Sequence, residues 1–173
     1  MAFLNVEIKA KHSDADFVRS WLLNNKAEFK GTDFQTDTYF NVRQGRLKLR
    51  EGNIENNLIY YERENNTGAK SSNFDLLKTE NPVLMKSILE KSMGIKTVVK
   101  KKREIYFINN VKFHIDEVEG LGSFVEIEAG NMLEDLPREK LQEQCEFYMK
   151  ELHIKPEDLI AVSYSDMLLD KLK

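Results

Sequence analysis

Charged residues recur at every second position along this chain, each set flanked by apolar neighbours. Glu126 and Glu128 stand in the run IDEVEGLGSFVEIEA, residues 115–129, alternating with Val125 and Ile127. Side chains of a strand alternate between its two faces, so both carboxylates share one face. Asp116 stands on the arm before the Gly120-Leu121-Gly122 turn. In water such a pair is unremarkable chemistry, but enclosed it is costly unless a cation or basic ligand neutralises it. The same period groups Asn5, Glu7 and Lys9 in NVEIKAK, Lys48 and Arg50 in RLKLRE, and Lys101 and Arg103 in VVKKKREIYFI. It also gives Arg63 in LIYYERE, and His114 beside Asp116.

Bases gather on some of these stretches and acids on others. Grouped Arg and Lys are phosphate-binding chemistry, Arg by bidentate bonds and Lys as a point charge. Acids would not touch phosphate directly. They suit Mg²⁺ or Mn²⁺, hard cations that favour oxygen and bridge to phosphate. A metal so held polarises a phosphoryl oxygen and neutralises developing charge. Together these residues suit a nucleotide or inorganic triphosphate. Other chemistries are not indicated. The Lys-Ser and Lys-Thr pairs lack the glycine pattern of a Walker loop, and neither a Gly-x-Ser-x-Gly elbow nor a His-Glu-x-x-His helix is present.

The elements that must position these residues follow from period and punctuation. Residues 3–11 alternate as a strand, with Leu4, Val6, Ile8 and Ala10 on its apolar face. Ser13 or Asp14 caps a helix carrying Phe17, Val18, Trp21, Leu22 and Leu23. Strands are expected over 34–40, 46–51 and 58–64, with 41–45 and 51–57 as polar connections. Residues 65–73 read as a polar loop and 74–79 as a further strand. Pro82 opens a helix that Gly94 ends. Strands over 97–108 and 112–118 join at Asn109-Asn110. The period then changes, to a helix over 137–152 and a last one over 163–172. The whole, 1–173, reads as one domain. In an open sheet the charged faces would meet solvent. The segregation of bases from acids fits better an α+β fold, a closed antiparallel β-barrel with a polar interior and helices packed on its outside.

Composition narrows the classes. With 26 Lys and Arg against 29 Asp and Glu, the net charge is -3, so neither nucleic acid nor membrane is an expected partner and any strong field is local. The lone cysteine, Cys145, excludes an intrachain disulfide and reads as a packed thiol. No apolar run is long enough to span a membrane and the first residues lack a signal-peptide core, so a cytoplasmic protein is expected. Pairing of two copies through an exposed strand edge or helix face is left open.

In order and spacing, NVEIKAK, QTDTYFNVRQGRLKLRE, LIYYERENNTGAKSSNF and VVKKKREIYFINNVKFHIDEVEGLGSFVEIEA resemble the CYTH superfamily, the triphosphate tunnel metalloenzymes. They look most like its class IV adenylyl cyclase branch. The resemblance runs from Asn5 to about Ser165 and implies an antiparallel tunnel of about eight strands, with triphosphate inside and Mg²⁺ or Mn²⁺ at its acidic side. It implies catalytic roles on phosphate for Lys9, Arg63 and Arg103. Substrate-binding roles are implied for Lys48, Arg50 and Lys101, and for Lys70 as a loop cation that closes over the ligand. Glu7, Asp116, Glu126 and Glu128 are implied as metal ligands. His114 is a candidate substrate-binding hydrogen-bond donor in the lumen, with a structural role as the alternative. For each charged residue a surface salt bridge is the alternative. The family's Glu-x-Glu-x-Lys signature falls on Asn5, Glu7 and Lys9, so an amide replaces its first acid. The implied reaction converts ATP to cyclic AMP and pyrophosphate. Hydrolysis of thiamine, nucleoside or inorganic triphosphate would use the same inventory. A third reading, motivated by Asn5, is a non-catalytic binder of phosphorylated ligands.

Overall fold

The structure, a computed structural model, describes residues 3–63 and 68–173, without the side chain of Arg63. Its strands are β1 (Phe3–Lys11), β2 (Glu28–Phe40), β3 (Arg46–Glu51), β4 (Asn57–Arg63), β5 (Lys70–Lys78), β6 (Ile95–Ile108), β7 (Val111–Val118) and β8 (Gly122–Gly130). They close into a barrel in the order β1-β5-β4-β3-β2-β6-β7-β8, every neighbour antiparallel and β8 returning to β1. Closure leaves no edge strand, so the strand-edge route to pairing two copies is absent among the described residues. The helices are α1 (Ala15–Asn24), α2 (Pro82–Met93), α3 (Arg138–Glu151) and α4 (Tyr164–Lys171).

Local chemistry sets the helix ends. Asp14 accepts the Phe17 N–H at 2.9 Å and Asn81 the Leu84 N–H at 3.0 Å, each satisfying a first-turn donor. Gly94, at φ 75°, ends α2 where a side chain would be strained. Ser163 and Asp166 cap α4 reciprocally.

The apolar faces of β1, β7 and β8 pack outward. Val6, Ile8 and Ala10 of β1, Phe113 and Ile115 of β7, and Val125, Ile127 and Ala129 of β8 form one core with Val18 and Leu22 of α1 and Leu141 and Cys145 of α3. Each large aliphatic buried there contributes about 1.5–3 kcal/mol. This outer core pins these strands so that their other face, the charged one, points into the barrel. Cys145 lies in the packing, its thiol pushed up to about 12 by burial.

Two boundaries differ from the sequence expectation. β2 starts at Glu28, six residues before 34, because its first half pairs with the far end of β6, Glu28 opposite Phe107 and Asp33 opposite Arg103. β5 starts at Lys70, inside the stretch expected to be loop. Residues Lys70 to Phe74 pair with Glu7 to Phe3 of β1. Both partners are remote in sequence, and strand propensity of a polar stretch depends on them. Among the described residues no helix is long and apolar enough to cross a membrane.

Candidate functional site

The barrel interior holds a cavity with about 860 Å³ of empty space, counting solvent at its mouth. Its walls differ. Charged residues from β1, β2, β3, β6, β7 and β8 line most of it, whereas β4 and β5 contribute Ile59, Tyr61, Phe74 and Leu76. Arg50, Arg103 and Glu126, from three separate strands, all line it.

Most ion pairs inside are cross-strand neighbours, so the barrel's register makes them. Asp37 lies opposite Arg50. The Arg50 guanidinium donates Nε and Nη2 to the two Asp37 oxygens at 2.9 and 2.8 Å. Lys101 adds a bond at 2.8 Å, and the Lys48 amine stands 3.4 Å away, near the rings of Tyr39 and Tyr61. Burial alone would raise the Asp37 pKa, but Arg50, then Lys101 and Lys48, hold it well below the carboxylate range. One carboxylate thus organises three cations. Lys101 is pushed down to about 7 by burial, against the attraction of Asp37 and helped by Arg103, Arg50 and Lys48.

A second network joins β6, β7 and β8. Arg103 lies opposite Asp116 and donates to it at 2.7 and 2.5 Å, and to Glu126 at 2.9 Å. Tyr164, at the start of α4, donates its hydroxyl to Asp116 at 2.8 Å. Asp116 is therefore enclosed and fully occupied by protein donors, 1% exposed, and does not line the cavity. Glu126 also takes the Lys9 amine at 3.7 Å and stands 3.1 Å from His114 Nδ1. Against burial, Arg103, His114 and Lys9 keep Glu126 well below the carboxylate range. An ionised Glu126 only accepts, so Nδ1 carries the hydrogen and Nε2 presents a lone pair. That buried Nε2 has no hydrogen-bond partner among the described residues. His114 is pushed down to about 4, by burial first and then by Arg103. It is neutral at pH 7, donating from Nδ1 to Glu126 and leaving Nε2 as an acceptor.

Glu7 and Glu128 face each other across β1 and β8. Asn5 Nδ2 donates to Glu128 at 2.7 Å, so its amide nitrogen, not its carbonyl, meets the acid. Burial raises the Glu128 pKa. Lys112 opposes this, and Glu7 and Glu126 add to it. Such a set of hard carboxylate oxygens, Glu7 beside Glu128 across the ladder, fits the donor chemistry of a divalent cation. Among the described residues no three of His, Cys, Asp and Glu are grouped so that they could hold a metal ion together. Mg²⁺ needs no such group, because it keeps waters and takes one or two carboxylates with substrate phosphates.

The family model described as the CYTH domain matches residues 4–164. The chain belongs to the CYTH family. A presumed adenylate cyclase of Methanocaldococcus jannaschii is 29% identical over 95% of this chain and 98% of its own. A Pyrococcus horikoshii protein of solved structure has a TM-score of 0.78 at 25% identity, covering 94% of this chain and 98% of its own. A Hippeastrum protein, titled a presumed adenylyl cyclase with a dominant triphosphatase activity, has a TM-score of 0.65 at 17% identity, over 98% and 95% of the two chains.

Within the CYTH barrel, Glu7, Lys9, Lys48, Arg50, Lys101, Arg103, His114, Glu126 and Glu128 share one cavity. Arg63 is on β4, its side chain outside the described set. Lys70 is corrected from loop to strand. It is buried, and its amine donates to the carbonyls of Ile160, at 3.0 Å, and Ala161. Lys9 likewise donates to the Val162 carbonyl at 3.3 Å and lies 4.2 Å from the Tyr164 ring centre. The segment leading into α4 therefore covers this end of the CYTH tunnel. Sequence reasoning missed Asp37, Glu55 and Tyr164. Asp37 had a usable signal, since its alternation with Tyr39 put it on a definable face; Glu55 sat in a hairpin connection that carried none.

Proposed function

We propose that this CYTH protein is a divalent-metal-dependent enzyme that binds ATP in its tunnel and converts it to cyclic AMP and pyrophosphate. One observation carries the reading: a cation cluster, Lys48, Arg50, Lys101 and Arg103, and an acid cluster, Glu7, Glu126 and Glu128, line one enclosed cavity. Triphosphate tunnel enzymes are generally metal-dependent. Held by one or two of Glu7, Glu126 and Glu128, Mg²⁺ or Mn²⁺ would supply phosphoryl polarisation and charge neutralisation. Lys48 and Lys101 would meet the phosphate oxygens as point charges, while Arg50 and Arg103, their paired donors held by Asp37 and Asp116, would add positive field that helps align the α-phosphorus. The apolar wall of Ile59, Tyr61, Phe74 and Leu76 gives a nucleoside a surface that inorganic triphosphate would leave unused.

In cyclisation the ribose 3'-hydroxyl gives its proton up to solvent, its oxygen bonds to the α-phosphorus, the bond to the bridging oxygen breaks, and pyrophosphate leaves. His114 Nε2 accepts from a ligand hydroxyl. With a pKa near 4 it is a weak base, so it orients that hydroxyl and does not keep its proton. The Methanocaldococcus relative's name supports the cyclase reading. A second reading, hydrolysis of an organic triphosphate, is favoured by the activity titled for the Hippeastrum protein. Incubation with ATP, thiamine triphosphate or inorganic triphosphate and Mg²⁺ or Mn²⁺, with product identification, separates them. Cyclic AMP with pyrophosphate is expected; released phosphate supports hydrolysis, and saturable binding without product overturns both.

A further inference from the structure

Resting on that reading, we infer that Tyr164 is a positioning residue: its ring holds the Lys9 ammonium off Glu126 and presents it, still charged, to the triphosphate. Tyr164 opens α4, is buried and lines the cavity. The Lys9 amine, from another buried residue of the lining, stands over the Tyr164 ring, 4.2 Å from its centre. It also donates to the Val162 carbonyl at 3.3 Å. Lys9 and Glu126 are cross-strand neighbours, yet their charged groups stay 3.7 Å apart. A charge-assisted hydrogen bond would be about 2.7–2.9 Å long. Glu126 takes Arg103 at such a distance, 2.9 Å, while the ring and the carbonyl keep the amine short of contact.

Neither holding group cancels the amine's charge. A carboxylate would neutralise it, as Asp37 does among Arg50, Lys101 and Lys48. A carbonyl dipole and the negative face of an aromatic ring attract a cation and leave its full charge available. The ring has a fixed place. Its hydroxyl donates to Asp116 at 2.8 Å, and the ring packs on Phe124 with centres 5.0 Å apart. Upstream, the Ile160 N–H donates to the Lys9 carbonyl at 2.9 Å, and the Lys70 amine donates to the Ile160 carbonyl at 3.0 Å. Downstream, Asp166 accepts from Arg46 at 2.7 Å. The segment is thus tied to β1, β5 and β3 on both sides of the ring. With an aliphatic side chain in its place, Lys9 would close on Glu126. Triphosphate would then have to break an ion pair before meeting the amine, and lost preorganisation lowers affinity.

Calorimetry on the full chain with Mg²⁺ and inorganic triphosphate tests the role. Tyr164→Phe removes only the hydroxyl and is the reference. Placing 3,5-difluorophenylalanine at position 164 keeps the shape of that ring and withdraws electron density from its face. The para position, which carries the hydroxyl toward Asp116, is left alone. The fluorinated chain is expected to bind triphosphate about threefold or more weakly than Tyr164→Phe, and Tyr164→Leu, with no aromatic face, more weakly still. In a Lys9→Met background the fluorine effect is expected to vanish, which a general loosening of α4 would not produce. Equal affinity of the fluorinated chain and Tyr164→Phe would overturn the role of the ring, as would a fluorine effect that survives Lys9→Met. Where Lys9→Met binds too weakly to measure, or Tyr164→Leu does not fold, the fluorine comparison alone decides. No binding of triphosphate by the wild type would sink the tunnel reading together with this inference; wild-type binding without a fluorine effect sinks this inference only.

Discussion

Asp37 and Glu128 are carboxylates on the inner wall of the same barrel, and their surroundings drive them in opposite directions. Asp37 is 1% exposed and holds Arg50, Lys101 and Lys48 within 3.4 Å. It is kept ionised by them, and they are kept in place by it. Glu128, only partly buried, has Asn5 as its hydrogen-bond partner and Glu7 across the ladder, and its pKa is raised. Asp37 therefore completes a structure that stands without ligand, whereas Glu128 is held toward its neutral form by burial and by Glu7 and Glu126. The lumen is preorganised on its phosphate side, while on its acid side burial and the neighbouring acids keep Glu128 hard to ionise. That division is what a site for a metal and a polyanion requires, since the two arrive together and complement each other's charge.

Variants can break this contrast. The largest effect is expected from Asp37→Asn, which strands three cations around a neutral amide. Removing one partner of a buried ionic cluster costs about 3–5 kcal/mol, and urea denaturation measures it. Glu128→Gln is expected to act in the other direction. Without divalent metal its stability is unchanged or higher, while metal affinity falls by about tenfold or more, read by Mn²⁺ titration. Equal loss of stability in both variants would erase the distinction.

Lys101 sharpens it through pH. Its folded pKa is about 7 against an ordinary 10.5. Between these values the unfolded chain binds more protons at this site, so it contributes a rise in stability with pH across that window. Below pH 7 the site adds no slope and its charge is carried at full penalty. Lys101→Met is expected to remove the rise, seen in urea midpoints collected from pH 7 to 10. Triphosphate binding above pH 7 should also take up protons, detectable by calorimetry in buffers of different ionisation enthalpy. The smallest effect belongs to Asn5→Ala. It removes the amide donor to Glu128, worth about 1 kcal/mol, and leaves that acid still harder to ionise; thermal unfolding and the Mn²⁺ titration together report it.

Period two along short segments was enough to divide Glu126 and Glu128 from Val125 and Ile127, and Lys101 and Arg103 from Lys100 and Lys102, with the first of each division facing inward. Alternation is a local property of the chain, so one stretch of sequence suffices to read it. Asp116 also points inward, but the sequence could not reveal that Arg103 and Tyr164 would occupy it. Lys70 was legible as a cation and not as a strand residue, because its partner Glu7 lies 63 positions away by their numbers.

From the amino acids alone came the strand faces, the helix caps, and the inventory of bases and acids, all fixed by neighbours within a few residues. Barrel closure and register decided the rest: which cation meets which acid, that Asp37 gathers three of them, that Glu55 folds back over the tunnel and that Tyr164 reaches Asp116. These pairings depend on the stagger of strands brought together from across the chain, and electrostatics acts over ångströms of space with no regard for separation in sequence.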